Sequence, residues 1–296
     1  MALLWRAEER SDIISSCVII FPMQKILVQG ELGSFHHEAA MKLFGPDVEI
    51  IPCPSFANVF SRLEKNKTGL ALVAIENSLY GTINEVADGL EATPEIKIFA
   101  EIELSIHQNL ITLPGVAASG IRKVYSHFAA LAQCEKYLED NFPQVEKIEY
   151  EDTAAAVRYI VEQNDPTLAA IAGRSAADLY DVQILAPQIE DNAVNFTKFA
   201  ALSRSPDRDR ELVRQPLAGK SSIILTTGHQ PGALYEALGV FVSHKINLTK
   251  LQSRPIPGEK WHYRFYLDFE ADADETMQII KGLESLDNNV VFLGNY

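Results

Sequence analysis

The chain has 296 residues, which is enough for two domains on the usual relation between length and domain count. Hydrophobic residues make up 47% of the chain and charged residues 22%, proportions that are typical of a folded globular protein and exclude intrinsic disorder. The net charge is −14, from 40 acidic against 26 basic residues, and the basic residues form no cluster. This charge pattern speaks against a nucleic-acid-binding protein.

The cysteines, the apolar runs and the amino terminus indicate the cellular compartment and where the fold begins. Cys17, Cys53 and Cys134 lie far apart without metal-ligand spacing, which predicts reduced thiols in a cytoplasmic protein and no metal site. No apolar run approaches the roughly 18 to 20 residues that span a bilayer, so no membrane partner is expected. Met23 stands directly before the first convincing strand, and residues 1–22 are interpreted as an upstream extension outside the fold.

Short apolar runs then alternate with amphipathic stretches. The first round predicts strands at 26–28, 48–51 and 70–75, with helices at 34–44 and 56–63. The run at 70–75 is continuously apolar, which is typical of a strand buried on both faces. This βαβαβ order predicts a mostly parallel sheet with helices on both sides.

A second round of the same pattern follows. It predicts strands at 124–125, 145–150 and 168–172 and helices at 129–138, 153–162 and 174–180. Residues 97–112 are β-like and long enough to cross from one lobe to another, and a strand over 195–199 would return. Two α/β lobes joined by two crossings predict a cleft with a ligand between them.

The last part of the chain has a different pattern. A charged, Pro-containing run at 204–220 is typical of a linker. After it the pattern predicts strands at 222–226, 247–252, 263–269 and 290–293 and helices at 232–244 and 274–286. This βαββαβ order in about 77 residues predicts a ferredoxin-like module.

The segment Asn195-Phe196-Thr197-Lys198-Phe199 carries unusual chemistry for a strand. Its two phenylalanines and its threonine would suit a plain edge strand with solvated polar residues. With the Asn195 amide and the Lys198 ammonium beside it, the Thr197 hydroxyl is also placed to donate a proton next to a bound anion. Both interpretations stay open on this segment alone.

Polar residues also follow two strands of the first round. Ser34 opens a helix after a glycine-bearing turn, where a side-chain cap and free backbone N–H groups can hold a carboxylate or phosphate. The spacing is not that of a dinucleotide-binding loop, so no NAD cofactor is expected. Glu76, Asn77 and Ser78 end the most buried strand, where ligands of open α/β sheets bind. Capping without any ligand explains either motif equally well.

The second round supplies similar junctions. Ser126 and Gln133 are seven residues apart, which predicts one helical face for both. His127 is a candidate acid, although a capping or core histidine is commoner. Glu151 stands at another helix start, where the helix dipole also stabilises a carboxylate structurally. Together these residues and those of the first round place polar side chains at four strand-to-helix junctions around one predicted cleft.

Several of these segments match the motifs of one family. Residues 30–36 match Gly-x-x-Gly-Thr-Phe-Ser with Ser34 for Thr and His36 for Ser, and residues 75–78 match Ile-Glu-Asn-Ser. Residues 126–134 match Ser-His-Pro-x-Ala-Leu-x-Gln-Cys with Phe128 for Pro. Residues 152–154 stand where the family has Ser-Thr-Ala, and residues 195–199 match Asn-x-Thr-Arg-Phe with Lys198 for Arg. From about Lys25 to Tyr296 the chain resembles the monofunctional prephenate dehydratases that carry a C-terminal ACT regulatory domain.

The resemblance implies a two-lobed, periplasmic-binding-protein-like α/β catalytic domain followed by a ferredoxin-like ACT domain. The expected boundaries are 1–22 for the extension, 23–205 for the catalytic domain, 206–220 for the linker and 221–296 for the ACT domain. Within the catalytic domain, lobe 1 is expected at about 23–105 and 190–205, and lobe 2 at about 106–189.

The resemblance also implies the reaction: prephenate loses its ring carboxylate as CO2 and its ring hydroxyl as water, giving phenylpyruvate, without cofactor or metal. Thr197 is then the expected proton donor. The other implied catalytic residues are Asn77, Gln133, Ser126 and Glu76. The implied substrate-binding residues are Ser34, Ser78, Asn195, Lys198, Phe199 and Glu151. An arogenate dehydratase and a non-catalytic small-molecule sensor remain as alternatives.

In the C-terminal module the resemblance implies an L-phenylalanine site for feedback regulation. The family's Gly-Ala-Leu turn and Glu-Ser-Arg-Pro motif have counterparts here, the second with Gln252 for Glu. The implied regulatory residues are Gly232, Ala233, Leu234, Asn247, Leu248, Gln252, Ser253, Arg254 and Pro255. A homodimer or homotetramer is expected, and a module that only dimerises is the alternative to a regulatory one.

Overall fold

The computed structural model describes residues 23–66, 69–214 and 219–296. The interpretation of residues 1–22 and of Cys17 lies outside the described residues. Cys53 and Cys134 are buried free thiols, and burial raises the pKa of each. None of the helices in the described ranges is long and apolar enough to cross a membrane.

The elements follow one another in chain order. The first part holds β1 (Gln24–Gln29), α1 (Phe35–Phe44), β2 (Val48–Cys53), α2 (Phe56–Lys65), β3 (Leu70–Asn77), β4 (Gly81–Thr82), α3 (Asn84–Ala92) and β5 (Lys97–Ser105). The second holds β6 (Asn109–Thr112), β7 (Lys123–Ser126), α4 (Phe128–Gln133), α5 (Glu135–Asn141), β8 (Glu146–Glu149), α6 (Thr153–Gln163), β9 (Leu168–Ala172), α7 (Arg174–Tyr180) and β10 (Gln183–Ala186). The third holds β11 (Phe196–Ser203), α8 (Pro206–Asp209), β12 (Lys220–Thr226), α9 (Ala233–Ser243), β13 (Leu248–Pro255), β14 (Tyr263–Glu270), α10 (Ala273–Glu284) and β15 (Asn289–Asn295).

The strands form three sheets. The sheet of lobe 1 has the order β2-β1-β3-β11-β5 with β4 on β3, and that of lobe 2 has the order β10-β6-β9-β7-β8. In lobe 1, β1, β2 and β3 are parallel, whereas β11 runs antiparallel to β3 and β5. The first five residues of β3 are buried, as its continuous apolar run predicts. Helix-covered sheets in two lobes confirm the predicted α/β class.

The structure corrects two expectations in lobe 2. The single helix expected over 129–138 is two helices, α4 and α5, which are separated at Cys134 by a backbone that is not helical there. Ser126 ends strand β7 instead of lying on a helix, so it does not share a helical face with Gln133. The edge strand β10 was not predicted, since its four residues are half buried and carry no clear alternation.

Two chain crossings join the lobes and are bonded to each other. The backbone N–H of Ile106 donates to the carbonyl of Asn195 at 2.8 Å, and that of Ile189 donates to the carbonyl of Gln108 at 2.8 Å. The buried Glu190 carboxylate contacts the His107 imidazole at 2.8 Å. The crossings therefore form one paired ribbon behind the cleft between the lobes.

The C-terminal strands form an antiparallel sheet in the order β13-β14-β12-β15, covered by α9 and α10. This is the order of a ferredoxin-like fold and confirms the predicted βαββαβ module. The connection before it is partly helical: α8 lies within it, and the buried carboxylate of Asp209 accepts a hydrogen bond from Ser203. The expected linker at 206–220 is therefore packed against lobe 1 over its first residues.

The module and lobe 1 share a hydrophobic cluster. Ile224, Leu293 and Tyr296 of the module pack with residues of lobe 1 such as Ile98 and Ala200. The two backbones also approach closely at Gly294, where a Cβ atom would lie 2.1 Å from the carbonyl oxygen of Ile98. The sheet of the module thus rests directly on lobe 1.

Candidate active site

A cavity of about 1010 Å³ lies between the two lobes. Its wall takes side chains from the ends of strands and the starts of helices on both sides. From lobe 1 these include Ser34, Phe35, His36, Asn77, Thr197 and Phe199. From the crossings and lobe 2 they include Gln108, His127, Gln133, Glu151, Asp152 and Thr153.

Thr197 is held by the side-chain amide of Asn77. The Asn77 Nδ2 group donates to Thr197 Oγ1 at 2.9 Å and to Asn195 Oδ1 at 2.9 Å. The Asn77 Oδ1 atom accepts from the backbone N–H groups of Leu79 at 2.9 Å and Tyr80 at 3.1 Å. Because two N–H groups occupy Oδ1, the orientation of the amide is fixed, and Nδ2 must be the atom that faces Thr197.

Asn195 and Ser78 support this arrangement from behind the cavity wall. Asn195 is fully buried, and its Nδ2 group has no partner among the described residues. The Ser78 hydroxyl accepts from the Phe196 backbone N–H at 2.9 Å, and the Ser78 N–H donates to the Phe196 carbonyl at 2.8 Å. Both residues therefore position the start of β11 and do not themselves line the cavity.

Lys198 does not reach the cavity. Side chains alternate along a strand, and Thr197 and Phe199 line the cavity wall, so Lys198 lies on the opposite face of β11. Its register partner Glu76 is also outside the wall and contacts Lys250 of the module at 3.4 Å. The expectation that Lys198 binds a substrate carboxylate, and that Glu76 acts in the cavity, finds no support in this geometry.

Ser126 is likewise structural. Its side chain is fully buried, and its hydroxyl donates to the carbonyl of Ile171 at 2.6 Å. It therefore links two strands of lobe 2 and does not face a ligand. The resemblance implied a catalytic role for Ser126, and its position instead fits a strand-to-strand contact.

Gln133 lines the cavity as expected, together with a residue that the sequence analysis missed. The Gln108 Nε2 group donates to Gln133 Oε1 at 3.2 Å, and Gln108 Oε1 is buried without a partner among the described residues. Gln108 belongs to the crossing between β5 and β6 and to none of the motifs. The one signal in the sequence that points to Gln108 is its position in the segment predicted to cross between the lobes.

The cavity wall is acidic. It contains the carboxylates of Glu85, Asp88, Glu151 and Asp152, and no Lys or Arg from the described residues lines it. Asp152 caps α6 by accepting hydrogen bonds from two backbone N–H groups of that helix at 2.8 and 3.0 Å. Burial raises the pKa of Asp152, and the two N–H groups lower it by less.

On the lobe 1 side of the cavity, the hydrogen-bond donors are uncharged groups at the start of α1. Ser34 caps α1, its hydroxyl accepting from the His37 backbone N–H at 3.3 Å. The turn before it needs Gly33 at φ +86°, a conformation that favours glycine. The start of α1 therefore presents backbone N–H groups and the positive end of the helix dipole beside the cavity.

The lobes also touch each other around the cavity. Arg158 of lobe 2 pairs with Glu31 at 3.3 Å, and Ser175 donates to Glu38 at 3.0 Å. A Cβ atom on Gly33 would lie 2.9 Å from the Cα atom of Ala176. The first turn of lobe 1 thus packs against α7 of lobe 2.

In the described part of the chain, no group of three or more His, Cys, Asp and Glu side chains is arranged to hold a metal ion.

Comparison with known proteins agrees with the motifs. Residues 26–207 match the family model for prephenate dehydratase. The chain belongs to the prephenate dehydratase family. It is 36% identical to the bifunctional chorismate mutase/prephenate dehydratase of Aquifex aeolicus over 95% of this chain and 75% of that protein. Its activity is that of a prephenate dehydratase, a lyase.

Two further relatives of this family cover the C-terminal module as well. The prephenate dehydratase of Methanocaldococcus jannaschii is 35% identical over 89% of this chain and 94% of its own length. The crystal structure of prephenate dehydratase from Arthrobacter aurescens, in complex with L-Phe, has a TM-score of 0.78 at 28% identity. That likeness covers 92% of this chain and 89% of the other.

The residues implied as regulatory lie in two places in the module. Gly232 precedes α9 at φ +92°, with Ala233 and Leu234 in the first turn of the helix. Along β13 the side chains alternate between exposed and half buried. Gln252 and Arg254 face lobe 1, whereas Asn247, Ser253 and Pro255 are exposed and Leu248 is half buried.

Proposed function

We propose that this chain carries out the decarboxylating dehydration of prephenate in the cavity between its lobes, with Thr197 protonating the departing hydroxyl. One observation carries the proposal. The Asn77 Nδ2 group donates to Thr197 Oγ1, so Thr197 is the acceptor in its contact with the protein. The hydroxyl proton of Thr197 is therefore left to point at a substrate oxygen.

The chemistry needs little more than this donor. The electron pair of the bond to the leaving CO2 moves into the ring, the ring carbon–oxygen bond breaks, and the ring becomes aromatic. Hydroxide is a poor leaving group, so a proton must reach the ring oxygen as that bond breaks. The hydrogen bond from Asn77 polarises the hydroxyl of Thr197 and makes it a better donor.

Among the described residues, no Lys or Arg lines the cavity wall, and this supports a decarboxylation at this place. A strong ion pair to the ring carboxylate would stabilise the bound substrate more than the transition state, in which that charge is leaving as CO2. Such pairing would slow decarboxylation. Neutral donors orient the substrate without this cost.

The experiment is a kinetic comparison of two variants of Thr197. Thr197→Ala is expected to lower kcat at least about 100-fold with KM changed less than about threefold, as loss of a general acid predicts. Thr197→Ser keeps a hydroxyl and is the matched control, with kcat within about tenfold of the wild type. Phenylpyruvate formation is followed by ultraviolet absorbance. An alanine variant with near-normal kcat would exclude Thr197 as the donor.

The acidic wall favours a second candidate substrate, arogenate, the amino analogue of prephenate. The carboxylates of Glu151 and Asp152 attract an ammonium group more than a keto group. Kinetics with both compounds decide between them, and the ratio of the two kcat/KM values is the readout. Glu151→Gln is expected to shift that ratio towards prephenate if arogenate is the preferred substrate.

We propose further that L-phenylalanine regulates the enzyme through the C-terminal module. The relative from Arthrobacter aurescens was solved with L-Phe. In this chain, residues of β13 contact lobe 1 on both sides of Asn77. Lys250 contacts Glu76 directly before it, whereas Gln252 and Arg254 contact Thr82 and Asp88 after it. Movement of β13 on ligand binding would therefore displace the residue that holds Thr197. Titration of the activity with L-phenylalanine tests this, and a flat response would refute it.

We propose that the protein assembles as a dimer or a dimer of dimers through its C-terminal module. On α9 the side chains of Tyr235 and Val242 are 81% and 74% exposed, and their separation of seven residues places them on one face. Leu251 on β13 is also exposed. Exposed apolar side chains of this kind suit contact between copies of the module. Light scattering coupled to gel filtration measures the assembly, and a monomer at micromolar concentration would refute it.

A further inference from the structure

His36 occupies a place in the cavity wall that the mechanism above does not use. It stands where the resembling family has serine, and its imidazole lies between the cavity and strand β3. The ring lies edge-on to Phe199, with 5.1 Å between the centroids, and tilted against Phe56 at 5.7 Å. These contacts fix the orientation of the ring.

One ring nitrogen of His36 has a defined role. Strand β1 pairs with β3 only as far as Leu72, so the backbone N–H of Ala74 lies beyond the end of that ladder. This N–H donates to His36 Nε2 at 3.0 Å. A backbone N–H can only donate, so Nε2 must carry the lone pair in the native protein.

The other nitrogen follows from the first. A neutral imidazole with an unprotonated Nε2 carries its proton on Nδ1. Nδ1 has no hydrogen-bond partner among the described residues. It is also absent from the buried side-chain atoms that lack a partner, so this nitrogen is not fully buried. Burial lowers the pKa of His36 from 6.5 to about 3, so the ring stays neutral at physiological pH. The Nδ1–H group is therefore an uncharged donor for which the described residues supply no acceptor.

We propose that His36 is a substrate-binding residue of this enzyme, whose Nδ1–H group donates a hydrogen bond to an oxygen of the bound carboxylate substrate. The donor suits a wall that contains acidic groups and no described Lys or Arg, because it binds an anionic oxygen without forming an ion pair. This assignment rests on the proposed reaction taking place in the cavity.

Two amide substitutions separate the two nitrogens of the ring. The Oε1 atom of glutamine takes the position of Nε2, so His36→Gln keeps the acceptor for Ala74 and loses the Nδ1 donor. The Nδ2 group of asparagine takes the position of Nδ1, so His36→Asn keeps the donor and loses the acceptor. A purely structural histidine and a substrate-binding one therefore give opposite results in this pair.

The readouts are kcat/KM for prephenate and the melting temperature of each full-length variant. We expect His36→Gln to lower kcat/KM about tenfold, the effect of one lost hydrogen bond, with a melting temperature close to that of the wild type. We expect His36→Asn to lower the melting temperature by about 4 °C or more and to keep kcat/KM within about threefold. Wild-type kcat/KM in the glutamine variant overturns the proposal, as does a larger loss in the asparagine variant.

Nuclear magnetic resonance gives a direct measurement that does not depend on turnover. In protein labelled with ¹⁵N-histidine, the ring signals of His36 are those missing from His36→Gln. We expect the Nδ1–H tautomer, and a shift of the Nδ1 signal when phenylpyruvate is added. An Nε2–H tautomer, or an unchanged signal at saturating product, overturns the proposal. Active Thr197→Ala would instead refute the proposed reaction mechanism, so the two failures are distinguishable.

Discussion

The hydrogen bonds of Asn77 decide the direction of the proton on Thr197. Because the backbone N–H groups of Leu79 and Tyr80 hold the amide oxygen, the amide cannot rotate without leaving both donors unpaired. After such a rotation both N–H groups would face the Nδ2 donor in place of an acceptor. The orientation that makes Thr197 an acceptor from the protein is therefore a stable property of the folded chain.

This arrangement predicts the effect of Asn77→Asp. A carboxylate still accepts the two backbone N–H groups, but it presents an acceptor to Thr197, whose hydroxyl proton then turns towards it. We expect kcat to fall at least about 100-fold, because the proton is no longer directed at the substrate. The melting temperature, measured alongside kcat, should also fall, because the new oxygen faces the Phe196 carbonyl, to which Nδ2 donates at 3.1 Å. An aspartate variant with full activity would show that the hydrogen bond from Asn77 does not matter.

The buried imidazole of His36 predicts a pH dependence of stability. Its pKa is about 3 in the folded protein and 6.5 when unfolded, so between these values only the unfolded chain binds the proton. The free energy of unfolding therefore falls as the pH drops below 6.5, with a slope approaching about 1.4 kcal/mol per pH unit. The contribution is constant above pH 6.5.

Urea unfolding between pH 4 and pH 8 measures this slope. His36→Gln has no titrating group at this position, so the difference between the two curves isolates the histidine from the carboxylates that also titrate in this range. A wild-type curve parallel to that of the variant below pH 6 would contradict the prediction.

At the scale of elements, strand β13 connects the C-terminal module with lobe 1. Thr82 donates to Gln252 Oε1 at 2.5 Å, and Arg254 contacts Asp88 at 2.7 Å. Both partners lie within the segment that follows β3. The side chains on the other face of β13 are exposed, so one strand meets lobe 1 on one side and solvent or a neighbour on the other.

Gln252→Ala tests this connection. We expect basal kcat within about twofold of the wild type, and an L-phenylalanine concentration for half inhibition raised about tenfold, because the contact that displaces the catalytic segment is lost. Thr249→Ala, on the exposed face of the same strand, is the matched control and should respond as the wild type does. Unchanged inhibition in the glutamine variant would place the connection elsewhere.

Periodicity predicted most of these elements, because burial on one face or on both leaves a local trace in the sequence. The continuous run of β3 and the alternating elements of the module are examples. Alternate residues of β11 face the cavity, and the motif at 195–199 does not show whether Thr197 or Lys198 does so. The spacing between Ser126 and Gln133 suits a helical face, but it does not show that β7 continues to Ser126 and that the helix begins only at Phe128.

Contacts between distant segments could not be predicted. Gln108 meets Gln133 because two crossings are paired, and Lys250 meets Glu76 because the module rests on lobe 1. Neither pair has a pattern in the sequence around it. The resemblance supplied the identity of Thr197 and Asn77, and the three-dimensional arrangement supplied the direction of the hydrogen bond between them.

At the scale of the whole molecule, the turn at Gly33 sets how closely the lobes approach. Gly33→Ala adds a Cβ atom 2.9 Å from Ala176 of the other lobe and also places alanine at φ +86°. The backbone conformation alone costs about 1 to 2 kcal/mol. The added atom in addition forces the two lobes apart around the cavity.

Gly115→Ala separates the two effects, since Gly115 has φ +79° and nothing within 4 Å of the added Cβ atom. We expect both variants to lose the stability that the positive φ costs, with a larger loss for Gly33→Ala because of its close contact, and only Gly33→Ala to raise KM, by about tenfold or more. Steady-state kinetics and thermal unfolding measure the two quantities. An equal KM in the two variants would show that the approach of the lobes at Gly33 does not affect binding.

The hydrophobic cluster that joins the module to lobe 1 has a consequence for dissecting the protein. Ile224, Leu293 and Tyr296 are as deeply buried as the lobe 1 residues that they touch. A protease cut between residues 206 and 219 would therefore leave two fragments that stay associated, because separating them exposes a core instead of a surface. The module behaves as an integral part of lobe 1 that happens to be encoded at the end of the chain, and expressing either fragment alone should give an insoluble product.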